Sequence, residues 1–103
     1  MMRVIFEQTG GFMGRRASLS LNLDELPPAE AKTLRGLLDE ADVFSLADTP
    51  ASDSARDVIH YLIRVETDDA SHTIHTSDVS MPDQLRPLMQ ELSRLARQSQ
   101  RKN

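Results

Sequence analysis

A chain of 103 residues has room for one hydrophobic core, and with no cysteine it has no disulfide framework, thiolate zinc site or cysteine nucleophile. A formal charge of −4 at pH 7 disfavours a dedicated nucleic-acid surface, although Arg94, Arg97, Arg101 and Lys102 make the last stretch locally basic. No apolar run approaches the ~18 residues of a membrane span, and Met1-Met2-Arg3-Val4-Ile5-Phe6-Glu7 reaches an acid before any signal-peptide core, so the expectation is one cytoplasmic domain over residues 1–103, with 98–103 a frayed tail and no membrane partner.

Residues 2–9 and 15–23 carry a period of two, clearest where Ala17, Leu19, Leu21 and Leu23 alternate with Arg16, Ser18, Ser20 and Asn22; both predict strands. Between them Gly10-Gly11-Phe12-Met13-Gly14 supplies glycines that tolerate the positive φ of a tight reversal, which predicts a β-hairpin. With Val4 and Phe6 on the core side beside Ala17 and Leu19, the expected register sets Phe6 against Ala17 and Thr9 against Gly14, leaving residues 10–13 at the tip.

Pro27-Pro28-Ala29-Glu30 places proline in a first helical turn and an acid at the positive helix end, after which Leu34, Leu37, Leu38 and Ala41 mark one face. Gly36 inside this helix costs about 1 kcal/mol relative to alanine. Val43, Phe44 and Leu46 are expected to plug the core, and 47–55, polar and small, reads as a mobile loop.

Residues 57–67 predict a strand with Ile59, Tyr61, Ile63 and Val65 inward, and Asp68-Asp69-Ala70-Ser71 a turn into a further strand over 72–77. Parity sets Val65 against Ile74 and Ile63 against Thr76, with Arg64 beside His75 outside. Ser80-Met81-Pro82-Asp83 has the Ser-x-x-acid form of a helix start, followed by Leu85, Leu88, Met89, Leu92, Leu95 and Ala96 at helical spacing.

The order β-β-α-β-β-α predicts an α+β two-layer sandwich: a four-stranded, mainly antiparallel sheet with two amphipathic helices on one face. The other face, carrying Arg3, Glu7, Arg16, Ser18, Ser20, Arg64, Glu66 and His75 and interrupted by Ile5 and Leu62, is expected to meet water.

Few constellations suggest chemistry. His72 and His75 sit an odd number of positions apart on one strand and point to opposite faces, while His60 lies on the outward parity of its strand with no zinc-like pattern nearby. Asp68-Asp69 and Asp39-Glu40-x-Asp42 lack calcium-loop spacing, and nucleophile elbows, phosphate loops and dinucleotide fingerprints are missing. The expectation is no catalytic residue, no metal and no cofactor. Phe12 and Met13 differ, because apolar side chains on a glycine-flanked turn are hard to bury in the domain's own core. Phe12 either folds back over the end of the sandwich or is presented to another protein.

The run Phe6-Glu7-Gln8-Thr9-Gly10-Gly11-Phe12-Met13-Gly14 resembles the emfourin family of proteinaceous inhibitors of thermolysin-like metallopeptidases. So do Leu26-Pro27-Pro28-Ala29-Glu30-Ala31, Ala41-Asp42-Val43-Phe44-Ser45-Leu46, and Leu85-Arg86-Pro87-Leu88 ahead of Leu92, in the same order. The resemblance implies a reversible, stoichiometric inhibitor of a bacterial thermolysin-like, protealysin-like zinc metallopeptidase, the zinc belonging to the target; since nothing in the chain specifies a symmetric interface, a monomer is expected when it is free. The hypothesised protease-binding residues are Thr9, Gly10, Gly11, Phe12, Met13, Gly14 and Arg15, with Phe12 filling the pocket for a bulky apolar side chain. Two rivals stand beside it: a generic interaction module using the outer sheet face or the basic helix end, and a small ligand-binding domain or enzyme with a spatially assembled pocket.

Overall fold

The computed structural model describes residues 2–10, 15–49 and 58–101. Strands β1 (Arg3–Gly10) and β2 (Arg15–Asn22) lead through a 3-10 turn into α1 (Pro28–Ala41); after a second 3-10 turn, Val43–Ser45, come β3 (Ile59–Glu66), β4 (Ser71–Ser77), a third 3-10 turn, Asp83–Leu85, and α2 (Arg86–Arg101). The sheet order is β2-β1-β3-β4, with every neighbouring pair antiparallel. This is the α+β arrangement that the hydrophobic patterning predicts.

One core lies between the sheet and the helices. Val4, Phe6, Ile63, Val65 and Ile74 project from alternate strand positions into a cluster with Leu34, Leu38 and Ala41 of α1 and Leu88, Met89, Leu92 and Ala96 of α2. Each large side chain removed from water there contributes about 1.5–3 kcal/mol. The opposite face carries Arg3, Ser18, Ser20 and His75 in the open, with Ile5 and Leu62 only partly covered. Local chemistry sets the helix ends. Pro28 fills the first turn of α1, where a missing N–H is harmless, and Asp42 ends the helix at φ 52, its N–H donating to Leu38 O and Asp39 O. Along α2, Arg94 grips both carboxylate oxygens of Glu91 at 2.7 and 2.8 Å.

Both hairpin registers differ from expectation by two residues. Phe6 pairs with Leu19 and Thr9 with Arg16, while Val65 pairs with His72, Ile63 with Ile74 and Arg64 with Thr73. A slip of two keeps every side chain on its face, so hydrophobic alternation cannot detect it; turn geometry decides. In the second hairpin Thr67 N donates to Ala70 O at 2.8 Å and Ala70 N donates to the Thr67 hydroxyl at 3.1 Å, which puts Asp68 and Asp69 at the turn's centre. In the first, the ladder runs to Gly10 opposite Arg15, so the connection is residues 11–14 and not 10–13.

Ser80 does not cap a helix. Its N–H donates to the Ser77 hydroxyl at 3.1 Å and its own hydroxyl donates to Thr49 O, while Pro82 holds the cap position of the third 3-10 turn without a side-chain bond. Phe44, expected in the core, is 46% exposed and lies with its ring 5.9 Å from that of His72; Val43 beside it is buried. The first residues of the expected mobile loop are pinned. His75 N donates to Asp48 Oδ1 and Thr49 N donates to His75 O, both at 2.8 Å, and the His72 ring donates to Leu46 O at 2.7 Å, so residues 46–49 run along and cover the edge of β4. The rest of that loop, 50–55, lies outside the described residues.

Candidate functional site

The expected binding residues begin where β1 ends. β1 is a central strand, paired along its whole length with β2 on one side and β3 on the other, so Gly10 faces both Arg15 and Ile59. Beneath it Phe6 is fully buried, its ring 5.9 Å from that of Tyr61, and Gln8 accepts a hydrogen bond from the Ser93 hydroxyl of α2 at 3.4 Å. The hairpin is therefore braced by the sheet laterally and by α2 from below, up to its last ladder pair.

Gly10 is the residue at which the chain leaves this scaffold. Its φ is +94°, a conformation that L side chains rarely adopt, and a Cβ built there would stand 2.7 Å from Val58 O. Backbone conformation and the close passage of Val58 both demand glycine. Thr9 and Gly10 thus lie at the end of β1 and Arg15 at the start of β2, while Gly11, Phe12, Met13 and Gly14 lie outside the described residues. By sequence count, Phe12 and Met13 are the middle two of the four residues joining Gly10 to Arg15.

On the open sheet face near this end, Glu7, Thr9, His60, Leu62 and His75 border a shallow cleft of about 200 Å³. It brings His60 and His75 to one side, with His72 on the other, as alternation requires. No group of three or more potential metal ligands occurs among the described residues.

Sequence reasoning missed a second cleft, of about 270 Å³, on the helix side of the same end. Its floor is Met81 and Met89, and its walls carry Tyr61, Asp78, Arg86, Gln90, Ser93 and Arg97. Burial pushes the Tyr61 phenol above its ordinary range, with Asp78 adding to the shift and Arg97 opposing it. Asp78 is engaged with the strand end, its Oδ1 accepting from Ile59 N at 3.3 Å. Arg86 is paired with Asp83 at 3.3 Å, whereas Arg97 has no hydrogen-bond or ion-pair partner among the described residues. Only the helical spacing of Arg86, Gln90, Ser93 and Arg97 was visible beforehand, and that pattern alone reads as a solvated helix face.

Among the described residues no helix is long and apolar enough to cross a membrane. In comparison with known proteins, the family described as Emfourin matches residues 6–93, which is 88 of the 103 residues. No curated protein and no solved structure matches the chain.

Proposed function

Because the chain belongs to the emfourin family, an inhibitor family whose partners are proteases, we propose that it is a reversible inhibitor of a bacterial thermolysin-like, protealysin-like zinc metallopeptidase in the cytoplasm. In this reading residues Thr9, Gly10, Gly11, Phe12, Met13, Gly14 and Arg15 enter the enzyme's cleft, and Phe12 occupies the pocket for a bulky apolar side chain. The observation that carries it is the bracing of β1 on both edges down to Gly10, which leaves only four residues to close the hairpin. Ends fixed by a sheet restrict the paths open to the residues between them, which lowers the ordering cost of association. The same restraint opposes the extended fit that proteolysis needs, and so favours an inhibitor over a substrate. The zinc is the target's, and the inhibitor, a monomer when free, contributes no catalytic group.

Titration of the purified protein into a thermolysin-like peptidase tests this reading. Phe12→Ala is expected to weaken inhibition at least tenfold and Phe12→Asp to weaken it further, since an anchor residue contributes about 2 kcal/mol or more. Undiminished inhibition by both folded variants removes the tip from the interface.

A further inference from the structure

The cleft between β3 and α2 lies near the end of β1 from which the hairpin connection departs. Tyr61 pairs with Gln8, two positions before Gly10, and Asp78 N donates to Ile59 O at 3.0 Å where Ile59 faces Gly10. At about 3.3 Å per residue, the Tyr61 row stands roughly 7 Å below the last ladder pair. A protein that binds at the end of β1 therefore has this cleft within its reach.

The cleft's chemistry is directional. The Arg97 guanidinium, the Tyr61 hydroxyl and the Gln90 amide supply donors above an apolar floor of Met81 and Met89, while the Ser93 hydroxyl at its wall already donates to Gln8. Arg35, Arg64, Arg86 and Arg94 are paired with Asp24, Glu66, Asp83 and Glu91, whereas Arg97 has no such partner among the described residues. The cleft's acid, Asp78, is turned to the Ile59 N–H. An anion on a short aliphatic stem matches both the donors and the floor.

We propose that this cleft is a second anchor point of the inhibitor, taking a glutamate or aspartate side chain from the bound peptidase between Arg97 and Tyr61. The inference rests on the inhibitor reading above and adds to it a charge-dependent contact on the helix side. It makes Arg97 a determinant of which peptidase is bound, since a target without an acid at that place leaves a guanidinium covered and unpaired.

Affinity for a thermolysin-like peptidase, measured by isothermal titration at several salt concentrations, tests the assignment. Arg97→Ala is expected to weaken binding roughly tenfold to a hundredfold, the range for a hydrogen bond to a charged group, and to flatten the salt dependence. Arg97→Glu is expected to be worse and Arg97→Lys to restore part of the loss, because an ammonium keeps the charge without the planar fork. Arg97 is exposed, so none of these changes should shift the melting temperature. Arg94→Ala, one turn away and already bound to Glu91, is the control for general surface charge. Equal binding by wild type, Arg97→Ala and Arg97→Glu, or an equal loss in Arg94→Ala, overturns the second anchor and leaves the inhibitor reading standing. Absence of binding by the wild-type protein overturns both.

Discussion

Gly10→Ala probes the point where the scaffold hands over to the tip. An alanine at φ +94° carries backbone strain of about 1–3 kcal/mol, and its methyl would sit 2.7 Å from Val58 O, a backbone atom that cannot swing aside as a side-chain end would. Taking about 2 kcal/mol for the pair of effects, and about 4–8 °C per kcal/mol for a domain near this size, the melting temperature falls by roughly 8–16 °C. Gly36→Ala is the matched control. It lies within α1, a Cβ there meets nothing within 4 Å, and the change should raise stability by about 1 kcal/mol, hence roughly 4–8 °C. Thermal unfolding followed by circular dichroism reads both variants in one experiment. Inhibition by Gly10→Ala should fall at least tenfold at a temperature where it is still folded, because relief of the contact re-aims residues 11–14. A Gly10→Ala protein that melts at or above the wild-type temperature would show that β1 does not end in this conformation, and the account of how the tip is held would fail with it.

Two further outcomes test the packing and the edge. Phe6→Ala removes a fully buried ring from the core between the sheet and the helices, beside Tyr61, and should cost about 3–5 kcal/mol in urea unfolding with the m-value unchanged; a loss below about 1.5 kcal/mol would mean that the site collapses around the gap. The His75 N–H bond holds the Asp48 carboxyl below its ordinary value of 3.8, with the rings of His75 and His72 adding to the effect and desolvation opposing it. A lowered carboxyl stabilises the fold above its unfolded pKa and ceases to do so as pH falls through the folded one, so hydrogen exchange at the His75 amide should quicken on acidification below about 4. Asp48→Asn keeps an acceptor that does not titrate and should abolish that pH dependence, whereas Asp48→Ala should expose the amide at neutral pH. Exchange in wild type that ignores pH across this window beyond its intrinsic rate would refute the role given to Asp48.

The patterns that survived folding are those in which one residue's neighbours along the chain carry the information. Alternation in Val4 and Phe6, or in Ile63 and Val65, names a face because strand geometry turns each successive side chain over. Leu88, Met89, Leu92 and Ala96 name a helix stripe for the corresponding reason. The positive φ of Gly10 was equally legible, since it is a property of a single residue, although Gly10 closes the ladder and the connection itself begins one residue later. Phe44 was misread because its apolarity says that burial is favourable and does not say that the core has room; Val43 takes the place, and Phe44 rests against His72.

What the amino-acid order alone determined is the set of elements, their inward faces and the glycine-flanked Phe12-Met13 segment, all consequences of periodicities shorter than one turn or two residues. Only the tertiary structure decided the pairing registers, the covering of β4 by residues 46–49, and the meeting of Tyr61 with Arg97. These depend on contacts between positions distant along the chain, where a slip of two residues leaves each local pattern intact and changes which side chains stand side by side.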